Sequence, residues 1–180
     1  MSFKVHSRQH LNHQTSRGIG GHQSARGGTV EWLTPPEILA ALGPFDLDPC
    51  APVVRPWNMA ARHFTLAEDG LAQDWAGRVW MNPPYGGDTW EWLRRLAEHG
   101  DGIAIIFART ETFGFHRYGW ERADGMMFFE GRIHFHHLDG RRAKGNCGGP
   151  SVLLAVGQKN CRRLHSSGLP GHYVNPRASL

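Results

Sequence analysis

Four consecutive residues have the chemistry to hold and activate an aromatic amine: Asn82, Pro83, Pro84 and Tyr85. The amino group of adenine is a poor nucleophile because its lone pair is delocalised into the ring. The amide oxygen of Asn82 and the carbonyl of Pro83 can each accept one N–H, which favours a pyramidal nitrogen. The prolines stiffen the loop without adding a competing donor, and Tyr85 offers a face for an extruded base. An Asn-Pro turn after a strand is the structural alternative, but the whole motif predicts methylation of an amino group.

The neighbouring residues predict how this motif is positioned. Residues 78–81 predict a short strand, and residues 88–99 an amphipathic helix that ends at Gly100. Residues 45–48 predict another strand, which ends at Asp48. The chain between the two strand ends is long enough for one parallel crossover, which needs roughly a dozen residues or more. We therefore expect Asp48 and Asn82 at the same edge of a parallel sheet, where open α/β sheets bind ligands.

Further elements complete an α/β pattern. Thr34 as N-cap, Pro35 in the first turn and Glu37 in a capping box predict a helix through residue 42, stopped by Gly43 and Pro44. The continuous apolar run over 102–108 predicts a buried strand, as does 151–156. Residues 126–129 and 132–135 predict an antiparallel hairpin. Strands that alternate with helices indicate an α/β sandwich.

Several segments together resemble the phage-type DNA N-6-adenine methyltransferase family, over about residues 31–157. The matching segments are EWLTPPE at 31–37, FDLDPCA at 45–51, VWMNPPY at 79–85, ART at 108–110, GRIHF at 131–135 and PS at 150–151. In that family the Asn-Pro-Pro-Tyr loop is catalytic, and the resemblance implies the same role for Asn82, Pro83, Pro84 and Tyr85. It also implies S-adenosyl-L-methionine (SAM) as the methyl donor and DNA as the partner.

The resemblance further implies a cofactor site. Asp48-Pro49-Cys50-Ala51 resembles the opening of a SAM-binding loop, in which a carboxylate meets the ammonium group of the cofactor. Pro52-Val53 stands where amino methyltransferases usually continue with a Gly-rich turn. Thr34 and Pro35 resemble the segment that contacts the SAM carboxylate. Asp69 is the candidate acceptor for the adenine amino group of SAM. Each has a structural alternative, a helix cap for Thr34 and a turn for Asp48 and Asp69.

Basic residues after the central strands are candidates for contact with DNA. Arg109 follows a buried strand on the same edge as Asn82, and the others lie on or after the predicted hairpin: Arg132, Arg141, Arg142 and Lys144. A solvated loop is the structural alternative. His134, His136 and His137 with Cys147 lack the paired short spacing of a structural zinc site, so we expect no metal.

Charge is unevenly distributed along the 180 residues, which carry a formal net charge of +4. Residues 1–28 and 158–180 contain basic residues and no acid. We interpret them as a disordered basic tail and a basic C-terminal tail that flank a methyltransferase domain over 29–157, and two basic tails suit a polyanion such as DNA. The absence of an apolar run long enough for a membrane span or signal peptide favours the cytoplasm. The three cysteines are odd in number and irregularly spaced, which indicates reduced thiols.

The expected fold is a reduced Rossmann-like, SAM-dependent methyltransferase sandwich with a C-terminal β-hairpin. The expected reaction is direct transfer of a methyl group from SAM to adenine N6 in DNA, without a covalent enzyme intermediate. Two alternatives remain open: methylation of RNA or of protein glutamine by the same loop, and a catalytically inactive DNA-binding relative. Neither the recognised DNA site nor the oligomeric state follows from the sequence.

Overall fold

The computed structural model describes residues 31–177, which form a seven-stranded mixed sheet with helices on both faces. The helices are α1 (Pro36–Leu42), α2 (Thr89–His99), α3 (Phe113–Phe115) with a π-helix that continues it (His116–Trp120), and α4 (Gln158–His165). The strands are β1 (Leu47–Asp48), β2 (Arg62–His63), β3 (Val79–Met81), β4 (Gly102–Phe107), β5 (Gly125–Phe129), β6 (Ser151–Val156) and β7 (Gly171–Val174). No helix in this part of the chain is long and apolar enough to cross a membrane.

The sheet has a parallel half and an antiparallel half. Its strand order is β2-β1-β3-β4-β6-β5-β7. Strands β2, β1, β3 and β4 run parallel, whereas β6 is antiparallel to both β4 and β5, and β7 is antiparallel to β5. The predicted adjacency of the strands that end at Asp48 and before Asn82 is confirmed, because β1 and β3 pair in parallel with Leu47 opposite Val79.

Alternating side chains of the central strands pack into two apolar cores, one on each face of the sheet. Trp80, Ile103 and Ile105 pack on the face covered by α1 and α4. Val79, Met81, Ala104 and Ile106 pack on the other face, covered by α2, α3 and the π-helix. Burial on both faces explains why these strands are apolar throughout, as expected for the centre of a layered α/β sheet.

The predicted helices are confirmed, with one change at a cap. Helix α1 spans Pro36–Leu42 and ends at Gly43, but its N-cap is Pro35, and no side chain caps it. The prediction that Thr34 caps this helix was therefore wrong. Helix α2 ends as expected at Gly100, which has φ 83° and closes the last turn with a hydrogen bond from its N–H to the carbonyl of Leu96.

The C-terminal part of the chain differs most from expectation. The predicted hairpin of 126–129 with 132–135 is not formed, because β5 pairs with β6 on one side and β7 on the other. Residues 131–150 instead form a long loop without a named strand. Residues 158–177, predicted as a tail, form α4 and β7, and Leu164 is fully buried. The predicted tail over 1–28 lies outside the described residues.

The start of β4 leaves no room for a side chain. A Cβ atom on Gly102 would lie 2.6 Å from the carbonyl oxygen of Val79 and 2.8 Å from Cδ1 of Leu96. The Gly102→Ala substitution should therefore lower the free energy of unfolding by about 1–3 kcal/mol, measured by urea denaturation. Gly145→Ala is the matched control, because nothing lies within 4 Å of its Cβ position. Equal stability of the two variants would contradict this account of the packing.

Candidate active site

The carboxyl ends of β1, β3 and β4 meet at one edge of the sheet and bring the candidate residues together. Asp48 ends β1, Asn82 follows β3 directly, and Phe107 ends β4. The loops after β1 and β3 leave the sheet side by side, because these strands pair in parallel with Leu47 opposite Val79. Asp48 and Asn82 therefore lie at the same edge of the sheet, as the spacing of the two strands predicted.

The side-chain amide of Asn82 is fixed in one orientation. Its Nδ2 donates to the backbone carbonyl of Trp32 over 3.0 Å, and its Oδ1 accepts from the hydroxyl of Tyr85 over 3.3 Å. A carbonyl can only accept, so the amide nitrogen must be the atom that faces Trp32. Its oxygen is therefore directed away from Trp32 and keeps capacity for a second donor, since an amide oxygen has two lone pairs.

Two contacts hold the Asn-Pro-Pro-Tyr loop against the rest of the site. The ring of Tyr85 stacks on Phe107, with centroids 4.4 Å apart and planes 28° apart. Thr89 Oγ1 donates to the carbonyl of Pro84 over 2.7 Å and accepts from the N–H of Gly86 over 3.1 Å. Burial raises the pKa of Tyr85, so its hydroxyl stays protonated and remains a donor to Asn82.

The two prolines of the loop differ in what their carbonyl groups do. The carbonyl of Pro84 is engaged by Thr89. Within residues 31–177, no hydrogen bond is formed to the carbonyl of Pro83, which is a buried residue. Pro83 and Asn82 therefore carry two acceptor oxygens with free capacity on neighbouring residues.

Asp48 is a buried carboxyl group that forms no salt bridge within the described chain. Its side chain is 2% exposed, and its Oδ1 accepts only from the backbone N–H of Cys50, over 3.1 Å. Burial raises its pKa to about 7, although the hydrogen bond from the N–H of Cys50 and the charge of Arg55 act in the opposite direction. A buried carboxylate gains most from a cation, so this position is suited to a positively charged group of a ligand.

The loop after Cys50 is shaped without glycines. The Nη1 of Arg55 donates to the carbonyl of Pro52 over 2.8 Å and to that of Val53 over 3.4 Å. These bonds close the turn at Pro52-Val53, which departs from a Gly-rich loop. Val53 and Val54 are 64% and 61% exposed, so the closed turn presents apolar side chains to solvent.

The segment with Asp69 packs against the same loop. A Cβ atom on Gly70 would lie 1.8 Å from the carbonyl oxygen of Pro49, so only glycine permits this approach. Asp69 is exposed and has φ 50°, an uncommon conformation for a residue other than glycine. Asp69 therefore directly precedes Gly70, the residue that contacts the Asp48-Pro49-Cys50 turn.

Thr34 belongs to the segment before α1 that is bonded to the side chain of Asn82. The residue is fully buried, and its Oγ1 has no hydrogen-bond partner among the described residues. The next residue but one before it, Trp32, accepts the bond from Asn82, which links this segment to the Asn-Pro-Pro-Tyr loop. An unpartnered buried hydroxyl calls for an explanation, and helix capping does not supply one.

The long loop over 131–150 folds over the Trp32–Thr34 segment. Leu33 and His136 exchange two backbone hydrogen bonds of 2.9 and 3.0 Å, and Trp32 packs on His137 with ring centroids 5.0 Å apart. All four basic candidates on this loop are exposed: Arg132, Arg141, Arg142 and Lys144. Arg141 pairs with Asp139 over 2.7 Å. Arg109 is also exposed, with its guanidinium 6.0 Å from the ring centre of Phe107.

Residues that act through their backbone or their packing were not predicted from the sequence. Trp32 contributes a carbonyl, Gly70 permits a close backbone approach, and Phe107 and Thr89 support the Asn-Pro-Pro-Tyr loop. A backbone carbonyl has no side-chain signature, so the sequence offered no signal for Trp32. Within residues 31–177 no group of three or more His, Cys, Asp or Glu residues is arranged to hold a metal ion.

Comparison with known proteins identifies the family. The sequence model for DNA N-6-adenine-methyltransferase (Dam) matches residues 26–168, and the chain belongs to this family. The match includes all the candidate residues at the carboxyl edge of the sheet and the whole of α4. No curated protein and no solved structure matches the chain.

The raised pKa of Asp48 predicts a specific dependence of stability on pH. Because the folded-state pKa is about 7 and the ordinary value is 3.8, the folded protein retains a proton that the unfolded chain releases. This contribution is fully present below about pH 4 and is lost as the pH rises to 7, up to about 4 kcal/mol in all. Asp48→Asn should therefore gain stability relative to the parent at pH 8 and much less at pH 5.

Urea denaturation of both proteins at the two pH values measures this difference. All other titrating groups are common to the two proteins, so subtraction isolates Asp48. A stability difference that does not change between pH 5 and pH 8 would mean that the folded-state pKa of Asp48 is not raised.

Proposed function

We propose that the chain is a site-specific DNA adenine N6-methyltransferase that uses SAM as its methyl donor. The observation that carries the proposal is the fixed orientation of Asn82, whose nitrogen bonds Trp32 and whose oxygen lies beside Tyr85. Membership of the DNA N-6-adenine-methyltransferase family supports the target base. We further propose that the parallel half of the sheet, with helices on both faces, is a Rossmann-like methyltransferase sandwich.

The proposed chemistry of the target uses the two acceptors on neighbouring residues. Asn82 Oδ1 and the carbonyl of Pro83 each accept one N–H of the adenine amino group. These bonds strengthen as the nitrogen becomes pyramidal, because its N–H groups then become more positive. The rigid loop is held by Thr89 and by the stack of Tyr85 on Phe107, so the amine is positioned with little reorganisation.

The residues at the carboxyl edge of the sheet fit the proposed cofactor. SAM supplies a methyl group on a sulfonium, and it also carries an ammonium, a carboxylate and an adenine amino group. Asp48 is buried without a cationic partner in the described chain, which suits the ammonium. Thr34 offers its unpartnered Oγ1 to the carboxylate, with Pro35 beside it, and Asp69 offers a carboxylate to the amino group. Pro49 and Cys50 form the turn between these groups.

The proposed DNA surface is formed by exposed cations at the same edge. Arg109 follows β4 next to the Tyr85–Phe107 stack. The remaining cations lie on the loop that covers Trp32: Arg132, Arg141, Arg142 and Lys144. Contacts from these side chains to phosphate would position the duplex without reading its sequence.

The role of Asn82 is tested by truncation of its side chain. Asn82→Ala should abolish methyl transfer, because one of the two acceptors for the amine is removed, while SAM affinity stays within a few-fold of the parent. Transfer is measured with tritiated SAM and unmethylated DNA, followed by nucleoside analysis.

Asn175→Ala serves as the control, because Asn175 is exposed and bonds only the N–H of Arg177. Asn82→Asp should retain partial activity, since it keeps an acceptor oxygen but loses the donor to Trp32. Substantial turnover by the Asn82→Ala protein would refute the catalytic assignment.

The role of Asp48 is tested by neutralisation. Asp48→Asn should weaken SAM binding at pH 8 by about 1.5–3 kcal/mol, the typical value of a hydrogen bond to a charged group. SAM affinity of the parent should fall as the pH drops below 7, because the cation favours the ionised carboxylate and protonation competes with it. The variant should lack this dependence, and isothermal calorimetry at pH 6 and pH 8 measures both effects.

Asp46→Asn is the matched control, because Asp46 precedes the same strand at its other end and accepts from the backbone N–H of Arg78. Unchanged SAM affinity in folded Asp48→Asn protein would move the cofactor elsewhere. A parent protein that binds no SAM at all would favour the inactive DNA-binding relative.

A further inference from the structure

A groove of about 550 Å³ lies at the edge of the sheet opposite the candidate active site. It is formed where the parallel strands begin: Asp46 precedes β1, Arg78 precedes β3, and α4 follows the end of the antiparallel strand β6. Four cationic side chains line it together with one carboxylate: Arg78, Lys159, Arg162, Arg163 and Asp46. The groove is therefore strongly electropositive.

Arg78 forms the rigid floor of this groove. The residue is 7% exposed, and its Nε donates to Asn160 Oδ1 over 2.6 Å. Its Nη1 donates to the carbonyls of Leu42 and Pro44, each over 2.8 Å. Asn160 is itself fully buried and held by bonds to Asp101 and to the carbonyl of Val156, each 2.7 Å long. Of the five acceptors bonded by Arg78 and Asn160, four are neutral and Asp101 is the only carboxylate.

The guanidinium of Arg78 has unused capacity. Its Nη2 is buried and has no hydrogen-bond partner among the described residues, and no carboxylate there forms a salt bridge with Arg78. Asp46, the carboxylate in the groove, accepts from the backbone N–H of Arg78 over 2.7 Å. A buried cation of this kind is costly unless it is paired.

Helix α4 adds further positive charge above this floor. Lys159, Arg162 and Arg163 are exposed, and Arg163 Nε reaches the carbonyl of Leu42 over 3.4 Å. Burial lowers the pKa of Arg78, the charge of Asp101 opposes this effect, and the charge of Arg163 adds to it. A bound anion would reduce the electrostatic repulsion between the cationic side chains that line the groove. Several guanidinium groups with donors in different directions match the oxygens of a phosphate.

We propose that this groove, floored by Arg78 and walled by α4, is a phosphate-binding site separate from the candidate active site. The phosphate belongs either to a nucleic-acid backbone or to a free phosphate or phosphomonoester. The site does not depend on methyl transfer, because none of its residues lies at the carboxyl edge of the sheet.

Calorimetric titration of the full chain with inorganic phosphate tests the proposal, with sodium chloride of equal ionic strength as the reference. The combined substitution Lys159→Gln and Arg162→Gln should weaken phosphate binding roughly tenfold or more, the typical effect of losing charge-assisted hydrogen bonds. Both side chains are exposed, and glutamine favours helices, so the fold should be retained. Circular dichroism checks this.

The matched control is Arg117→Gln with Arg122→Gln, which removes the same charge from exposed positions on and just after the π-helix. This control should bind inorganic phosphate like the parent. The proposal is overturned if the parent binds no phosphate, or if the α4 variant and the control lose phosphate affinity equally, since that would be a general charge effect.

A salt titration of duplex DNA binding then distinguishes the two sources of phosphate. If the groove holds a DNA phosphate, the slope of log affinity against log salt should shrink in the α4 variant by about 0.9 per lost contact. A slope that is unchanged while inorganic phosphate binding is lost identifies a free phosphate or phosphomonoester as the ligand. These measurements involve no methyl transfer, so their failure is distinct from failure of the proposed function.

Discussion

The hydrogen bond from Asn82 to the carbonyl of Trp32 is the contact on which the candidate site depends. It joins the loop after β3 to a segment that precedes α1 by only a few residues. The same segment is bonded through Leu33 to His136 on the 131–150 loop. The Trp32–Leu33 segment therefore connects three distant parts of the chain, and any shift of Trp32 would change the direction of the Asn82 oxygen.

Burial of polar groups without partners distinguishes this edge of the sheet from the rest of the core. Asp48 keeps a raised pKa, and Thr34 has a hydroxyl with no partner in the described chain. Each of these features costs stability in the free protein. The apolar cores on both faces of β3 and β4 offset that cost, because their side chains are almost completely buried. Such a division between a stabilising core and a costly edge is typical of binding sites.

Local signals predicted the parallel half of the sheet, whereas non-local pairing determined the rest. The strand before Asn82, the helix that follows it and the stop at Gly100 were predicted because their apolar spacing and capping are local. The hairpin prediction failed because β5 has both edges occupied by strands from later in the chain. Strand β7 has no alternation of apolar and polar residues, and the outer face of α4 is basic. For these reasons the sequence of this helix and strand was interpreted as a basic tail.

The position of β6 in the sheet has a consequence for synthesis on the ribosome. Strand β4 is complete at Phe107, but its second neighbour begins only at Ser151. A nascent chain therefore exposes an unpaired edge of β4 until more than forty further residues have been made. Exposed apolar strand edges promote aggregation. The intervening segment also contains the loop that covers Trp32. Premature termination before β6 would therefore yield an aggregation-prone fragment with an unpaired edge on β4.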